Sequence, residues 1–224
     1  MKVGIVYTGT TSELEEDVER ELKNRLGEAV ELYVQKDPSI IKEINSEGYV
    51  TRQAAKRLVE MYLKAIGADC DAILNACSSV GEVADACCGL ASYLGVPIVR
   101  IDELMCREAI KRGERIGIMG TLPTTMDPTR RTVERLAREM GRRVQIVNIL
   151  VEGAFGLDQV AFRKRLSDAV DKVDKPVDVF ILAQGSMAYA AGDLSERYHL
   201  PFLGSPYYGA IAMKEALKNK GIIS

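Results

Sequence analysis

Along the chain, compact apolar runs alternate with longer stretches in which apolar residues recur every three or four positions. Short apolar runs bounded by Gly and hydroxyl residues read as buried strands, and the three-to-four spacing reads as helix. Lys2 to Thr8 is the first strand, followed by a loop through Gly9, Thr10 and Thr11. Ser12 with Glu15 has capping-box spacing; Leu14, Val18, Leu22 and Leu26 share one helical face, and Gly27 suits the C-cap. A second strand covers 30–34, Asp37 and Pro38 break the chain, a loop or short helix runs to Gly48, and a longer helix spans 51–66. Strand 70–74 leads into a helix over 80–94, then a strand at 95–99 and a helix at 102–111. The pattern restarts with a strand from Arg115 to Gly120, a helix from Pro128 to Gly141 and a strand over 144–150. A looser segment holds Gly153, Phe155 and Gly156. Helix 159–173, strand 177–182, a further helix, strand 200–203 and a last helix after Pro206 complete the chain.

The second half repeats the first. Lys2, Val3, Gly4, Ile5 and Val6 match Arg115, Ile116, Gly117, Ile118 and Met119, 113 residues later; Thr8 falls on Thr121, Thr11 on Thr124 and Ser12 on Thr125. One residue of slip later, Leu22, Leu26, Gly27 and Val30 fall on Leu136, Met140, Gly141 and Val144. Ala72 to Ser78 lies over Phe180 to Ser186, which sets Cys77 over Gly185; Gly95 to Pro97 lies over His199 to Pro201. Alternating strands and helices give parallel sheets with right-handed crossovers. The expected fold is therefore α/β, with two pseudo-symmetric three-layer domains and the active site between them. Residues 1–95 plus 205–224 form one lobe and residues 96–204 the other. A (β/α)8 barrel is the competing architecture, because eight strand–helix pairs can be counted; its usual size is about 250 residues.

Composition narrows the function. With 30 Lys and Arg against 32 Asp and Glu, no basic face or tail stands out, which argues against nucleic acid as a partner. No apolar run approaches the roughly 20 residues of a membrane span. Met1 to Val6 is too short and too soon polar for a signal peptide and reads as strand. Five cysteines, an odd number without framework spacing, point to free thiols in a reducing cytoplasm. His199 is the one histidine, so a His-rich metal site and a Ser-His-Asp triad are both disfavoured. Apolar surface strands or helices are where a homo-oligomer would form.

The candidate chemistry lies in Ala72 to Ser79, an apolar run that ends in Asn75, Ala76, Cys77, Ser78 and Ser79 just before a helix. Open α/β sheets bind ligands at this edge. The orphan N–H groups and dipole of the helix favour an anion, which predicts a depressed thiol pKa at Cys77. By the repeat, Thr8, Thr10 and Thr11 with Cys77 to Ser79 line one side of a cleft, and Thr121, Thr124 and Thr125 with Gln184, Gly185 and Ser186 line the other. Hydroxyls and backbone N–H groups suit a small carboxylate. Cys87 and Cys88 lie within a helical pattern and read as packing residues, as do Cys70 and Cys106; Tyr207 and Tyr208 read as cleft wall or core.

Taken together, the Gly4-to-Val6 start, Asn75 to Ser78, Ile116 to Thr121 with Thr124 and Thr125, and Ile181 to Gln184 resemble the aspartate/glutamate/hydantoin racemase superfamily, which includes arylmalonate decarboxylase and maleate isomerase. The resemblance spans nearly the whole chain. It implies two similar α/β domains, an active site between them, no metal and no organic cofactor. It also implies two cysteines flanking the substrate, the first matching Cys77; the second would follow the strand of the second half, where Leu182, Ala183, Gln184 and Gly185 stand instead. The expected function is thus a racemase or isomerase of small carboxylic or amino acids with Cys77 as base or nucleophile. Asn75, Ser78 and Ser79 would orient substrate or stabilise the thiolate. Thr8, Thr10, Thr11, Thr121, Thr124, Thr125 and Gly185 would bind carboxylate, and Gln184 and Ser186 would face the substrate where the second thiol is missing. A one-thiol decarboxylase or lyase and a non-catalytic carboxylate-binding protein are the alternatives.

Overall fold

Residues 1–154 and 156–223 are described in a computed structural model, so the expectation for Phe155 lies outside the described residues. Among the described residues, eight strands form two separate four-stranded parallel sheets, which excludes the closed barrel. The chain divides into a first unit, Met1–Leu104 with Pro206–Ser224, and a second unit, Met105–Ser205. Among the described residues, no helix is long and apolar enough to cross a membrane.

In the first unit the elements are β1 (Lys2–Tyr7), α1 (Ser12–Leu26), β2 (Glu31–Lys36), α2 (Pro38–Glu47), α3 (Arg52–Gly67), β3 (Ala72–Asn75), α4 (Gly81–Tyr93), β4 (Ile98–Arg100) and, after the second unit, α9 (Ser205–Asn219). The strand order is β2-β1-β3-β4. Because β4 pairs with β3, Ile73 opposite Ile98, the segment after residue 95 stays in the first unit and does not open the second. Strand side chains alternate between faces. Val3, Ile5 and Tyr7 pack with α1 and α9 through Leu14, Val18, Leu22, Met213 and Leu217, while Val6 and Ile73 pack with α2, α3 and α4 through Ile40, Leu58, Tyr62 and Ala84. This is a three-layer sandwich. Thr11, not Ser12, caps α1, its hydroxyl accepting from Leu14 N at 3.3 Å. Of the loop or short helix expected up to Gly48, the helix is found: Asp37 and Pro38 start α2, since an Asp N-cap followed by Pro is a favoured way to begin a helix.

The second unit holds α5 (Glu103–Arg112), β5 (Arg115–Gly120), α6 (Pro123–Glu139), β6 (Gln145–Leu150), α7 (Gln159–Val170), β7 (Val179–Leu182), α8 (Ala191–Tyr198) and β8 (Phe202–Gly204); α5 begins two residues ahead of the division. The order β6-β5-β7-β8 repeats that of the first sheet. Met119, Phe180 and Leu182 pack with α7 and α8. On the other face, a Cβ at Gly120 would meet Met126 Sδ of α6 at 2.6 Å. That helix starts at Pro123, five residues ahead of the expected start, and carries Pro128 inside it. Proline suits the first helical position, so Pro123 marks the start of the helix.

Pairing register corrects the internal alignment. Val3 pairs with Ala72 and Ile116 with Val179; Ala76 N donates to Val6 O, and Ala183 N donates to Met119 O. With Val6 equivalent to Met119, Ala76 is equivalent to Ala183, and Cys77 to Gln184 rather than to Gly185. The apolar strands look alike one residue either way, and only the ladder fixes the offset.

The opposite ends of the sheets repeat as well. Asp71 Oδ2 accepts from Lys2 N at 2.8 Å, and Asp178 Oδ2 accepts from Arg115 N at 2.9 Å and Glu114 N at 3.1 Å. Asp178 also pairs with the Arg115 guanidinium, and these bonds pull its carboxyl from 3.8 down to about 2. A depressed folded-state pKa gives stability that is present above the unfolded value and is lost as pH falls toward about 2. Asp178→Asn should therefore be less stable than wild type near neutral pH, with the difference closing as pH falls from about 4 to about 2. Urea midpoints along that series check it; a pH-independent difference would remove the ionic contribution.

Candidate active site

In each sheet, neighbouring strands send their following helices to opposite faces. β1 leads into α1 on one face and β3 into α4 on the other, as β5 leads into α6 and β7 into α8. Such a switch point opens a crevice at the carboxyl ends of the two strands. Thr8 directly follows β1 and Cys77 lies two residues past β3; Thr121 directly follows β5 and Gln184 lies two residues past β7.

After the last ladder bond at Ala76, Cys77 is extended (φ −142°, ψ 116°) and occupies the cap position of a 3-10 turn, Ser78–Val80, that runs into α4. Asn75 fixes the turn from below. It is fully buried, its Oδ1 accepts from Tyr62 OH at 2.9 Å, and its Nδ2 donates to Cys77 O at 2.9 Å. Burial pushes the Tyr62 phenol pKa up, so it remains a donor. Both ends of its amide are engaged within the protein, the Nδ2 on the carbonyl of Cys77 itself. The buried apolar run before it hides this, because the same residues describe a ligand-facing or a clamped amide.

Cys77 is half-buried. Its thiol pKa is raised, not depressed. The largest cause is desolvation by the packing around it; the Thr8 hydroxyl and the N–H groups of Ser79 and Val80 act in the opposite direction, and the charge of Asp102 raises it further. The expected helix-end donors are present, but burial outweighs them. Cys77 is thus a protonated thiol at neutral pH with three donors positioned to receive its anion. Thr8 is fully buried and its hydroxyl has no aligned partner at rest, so a rotation of the O–H toward sulfur is free of competition. Thr8 therefore does not line an open surface.

Other candidates divide. Ser78 and Ser79 are buried. Thr10 is half-buried, its hydroxyl donating to Thr11 O at 3.1 Å, while the Thr11 hydroxyl serves as the α1 cap. At the second edge, Gln184 Oε1 accepts from both Thr121 N (2.6 Å) and Thr121 Oγ1 (2.9 Å). A backbone N–H can only donate, so it fixes which end of the amide is oxygen. The pair Thr121–Gln184 stands where Thr8–Cys77 stands in the first unit. Thr124 and Thr125 lie in the first turn of α6 instead of a loop; the Thr125 hydroxyl donates to Leu122 O at 2.9 Å. Gly185 and Ser186 are half-buried in the 3-10 segment Gly185–Ala190. Tyr208 is buried, and Tyr207 lies half-exposed beneath the Arg25 guanidinium, 4.3 Å from its ring centre. Cys87 and Cys88 pack on the first unit's core.

Three residues near Cys77 escaped the sequence reading: Tyr62, Arg100 and Asp102. Arg100 and Asp102 are 4% and 1% exposed. A charged residue every second position at a strand end reads as surface, and only their mutual pairing identifies them as buried. Among the described residues, no group of three or more His, Cys, Asp or Glu is placed to hold a metal ion.

Comparison with known proteins bears on the family and the fold. The family model described as Asp/Glu/Hydantoin racemase matches residues 3–210. A search of curated protein sequences returns no match. Among solved structures, allantoin racemase from Klebsiella pneumoniae superposes with a TM-score of 0.67 at 19% identity, over 99% of this chain and 89% of that one. A glutamate racemase from Bacillus anthracis gives 0.71 at 17% identity, over 99% and 83%. A maleate isomerase from Pseudomonas putida gives 0.61 at 16% identity, over 97% and 93%. At these identities the likeness is one of fold.

Proposed function

Because the chain belongs to the Asp/Glu/hydantoin racemase family, we propose that it is a cofactor-independent racemase or isomerase of small carboxylic or amino acids in which Cys77 is the base or nucleophile. The supporting observation is the arrangement just past β3: a half-buried thiol beside the Ser79 and Val80 N–H groups, with the unpartnered Thr8 hydroxyl free to rotate toward it. A proton beside a carboxylate is weakly acidic, and removing it needs a positioned base and stabilisation of the enediolate charge. The Cys77 thiol first loses its proton to solvent. The thiolate, held by the three donors, then takes the substrate proton, and the electron pair passes to the carboxylate carbon–oxygen system. In the isomerase variant the thiolate adds to an activated double bond, rotation follows, and the thiolate leaves. On the second unit, the Gln184 amide N–H groups with Gly185 and Ser186 are the candidate carboxylate donors, since Thr121 N and Oγ1 already donate to Gln184 Oε1. The five free thiols support a reducing, cytoplasmic setting.

A second reading, a one-thiol decarboxylase or lyase, is favoured by Gln184 at the register position equivalent to Cys77. An amide is neither acid nor base at neutral pH. A thiol that stays protonated suits delivery of one proton to a carbanion left by loss of carbon dioxide. Incubation in deuterated water with amino, hydroxy, unsaturated and malonic acids separates the readings. Inversion or double-bond isomerisation supports the first, and loss of carbon dioxide with one deuteron gained supports the second. No isotope uptake and no conversion across the panel, with a ligand-induced rise in melting temperature, would mean a carboxylate-binding protein and defeat both.

A further inference from the structure

At the register position of Cys77, the second unit carries a side chain that cannot exchange protons at neutral pH but can select what lies against it. Ala183 N donates to Met119 O at 2.8 Å, and beyond that ladder bond the next donor of the β5 side, Thr121 N, goes to the Gln184 side chain. Gln184 is extended (φ −112°, ψ 132°), and its side chain makes no bond to the 3-10 segment that follows. Its Oε1 accepts from Thr121 N at 2.6 Å and from Thr121 Oγ1 at 2.9 Å, which uses both lone pairs of that oxygen. Turned over, the amide would set its NH2 against a backbone N–H, donor against donor. The orientation is therefore locked, and the free end of Gln184 is a donor only. Nε2 has no partner among the described residues and is not enclosed. The N–H groups of Gly185 and Ser186 are without a partner among the described residues as well, whereas Met187 N donates to Gln184 O at 3.0 Å.

We propose that Gln184 is a specificity-determining residue, with Thr121 as its positioning residue: the locked amide accepts an ionised carboxylate at this edge and rejects the carboxamide of the same shape. A carboxylate offers acceptor oxygens at both ends. A carboxamide brings its own NH2 against Nε2 and the Gly185 and Ser186 N–H groups, and with Oε1 already committed to Thr121 it finds no acceptor there. A site built to bond one group discriminates strongly against an isostere that leaves its polar groups unpaired. The competing account is structural: Gln184 Oε1 merely stands in for a ladder carbonyl at Thr121 N. Gln184→Glu separates the two, because it keeps an oxygen for Thr121 N and puts a second oxygen in place of Nε2. The inference rests on the racemase or isomerase reading for the kind of ligand, and its test needs neither Cys77 nor turnover.

The test is titration of the isotope-labelled full chain with propionate and with propionamide at neutral pH, followed by heteronuclear NMR at the Gln184 side-chain N–H pair and the Gly185 and Ser186 N–H signals. Wild type should bind propionate about 10- to 100-fold more tightly than propionamide, the worth of a hydrogen bond to a charged group. In Gln184→Glu the side-chain pair disappears, which assigns it. Read at Gly185 and Ser186, propionate affinity should then fall about tenfold or more, and propionamide should become the tighter ligand. Thr121→Val should weaken the acid preference about threefold, and Thr121→Ser should keep it. An acid preference unchanged in Gln184→Glu would overturn the proposal, as would propionate moving none of the three signals in wild type. Thr121→Ser matching Thr121→Val would remove the hydroxyl from the lock. Should Gln184→Glu fail to fold by circular dichroism, Gln184→Met takes its place: loss of the acid preference supports the assignment, and its retention defeats it. Propionate binding as described, with no isotope uptake or conversion in the deuterated-water panel, would sink the proposed reaction and leave Gln184 in this role.

Discussion

Cys77→Ala is expected to lower turnover of whichever carboxylic acid the enzyme accepts by about 10²- to 10⁴-fold, the usual contribution of a positioned acid or base. The fold should survive. Cys77 is half-buried and its backbone conformation is extended, which alanine adopts without strain. The turn is held by Asn75 through the Cys77 carbonyl, a group the substitution leaves in place. Melting temperature should therefore change little while activity collapses. Cys77→Ser sharpens the experiment, because a hydroxyl keeps the volume and the contacts with the Ser79 and Val80 N–H groups but is a far weaker acid than a thiol. Its activity should sit near that of the alanine variant. The remaining thiols give the control: Cys87→Ala and Cys88→Ala should keep near-wild-type rates, since these side chains pack on the core of the first unit. Near-full activity in Cys77→Ala would end the case for a thiol mechanism.

The alternation of apolar runs and amphipathic stretches made the order of strands and helices readable, because burial on both faces of a parallel strand demands an uninterrupted apolar run. Strand position in the sheet was not readable to the residue. Ile73 and Leu74 match Phe180 and Ile181 as well as Ile181 and Leu182 by composition, and only the ladder bond from Ala183 N to Met119 O decides. That single residue determines whether Gly185 or Gln184 stands where Cys77 stands. Cys77 itself was identifiable, as a thiol between a buried strand and a helix start. Its electrostatics were not. Helix-end donors can be read from a sequence, whereas desolvation and the charge of Asp102 depend on packing from β4, more than twenty residues away. The same gap explains Asn75 and Thr8. Each is a polar residue at a strand end, and such residues bind ligands or brace neighbours according to what lies beneath them. Tyr62, thirteen positions upstream, lies beneath Asn75.

Asn75→Ala should destabilise the protein by about 2–4 kcal/mol, because it takes the partner from two polar groups, and a buried one costs about 1–3 kcal/mol when left without. One is Tyr62 OH, on a side chain 2% exposed; the other is the carbonyl of Cys77. Tyr62→Phe removes only the hydroxyl and leaves the Asn75–Cys77 bond intact, so its loss should be smaller, about 1 kcal/mol. The double variant should be less destabilised than the sum of the two, because the Tyr62 hydroxyl penalty is counted in only one of them. Urea midpoints of the four proteins measure this coupling. Kinetics separates bracing from binding: a clamp that sets the Cys77 turn should reduce kcat in Asn75→Ala with little change in KM, and Tyr62→Phe should share the effect in milder form. If Asn75 held substrate instead, Asn75→Ala would raise KM at nearly unchanged stability, and Tyr62→Phe would have no effect on turnover.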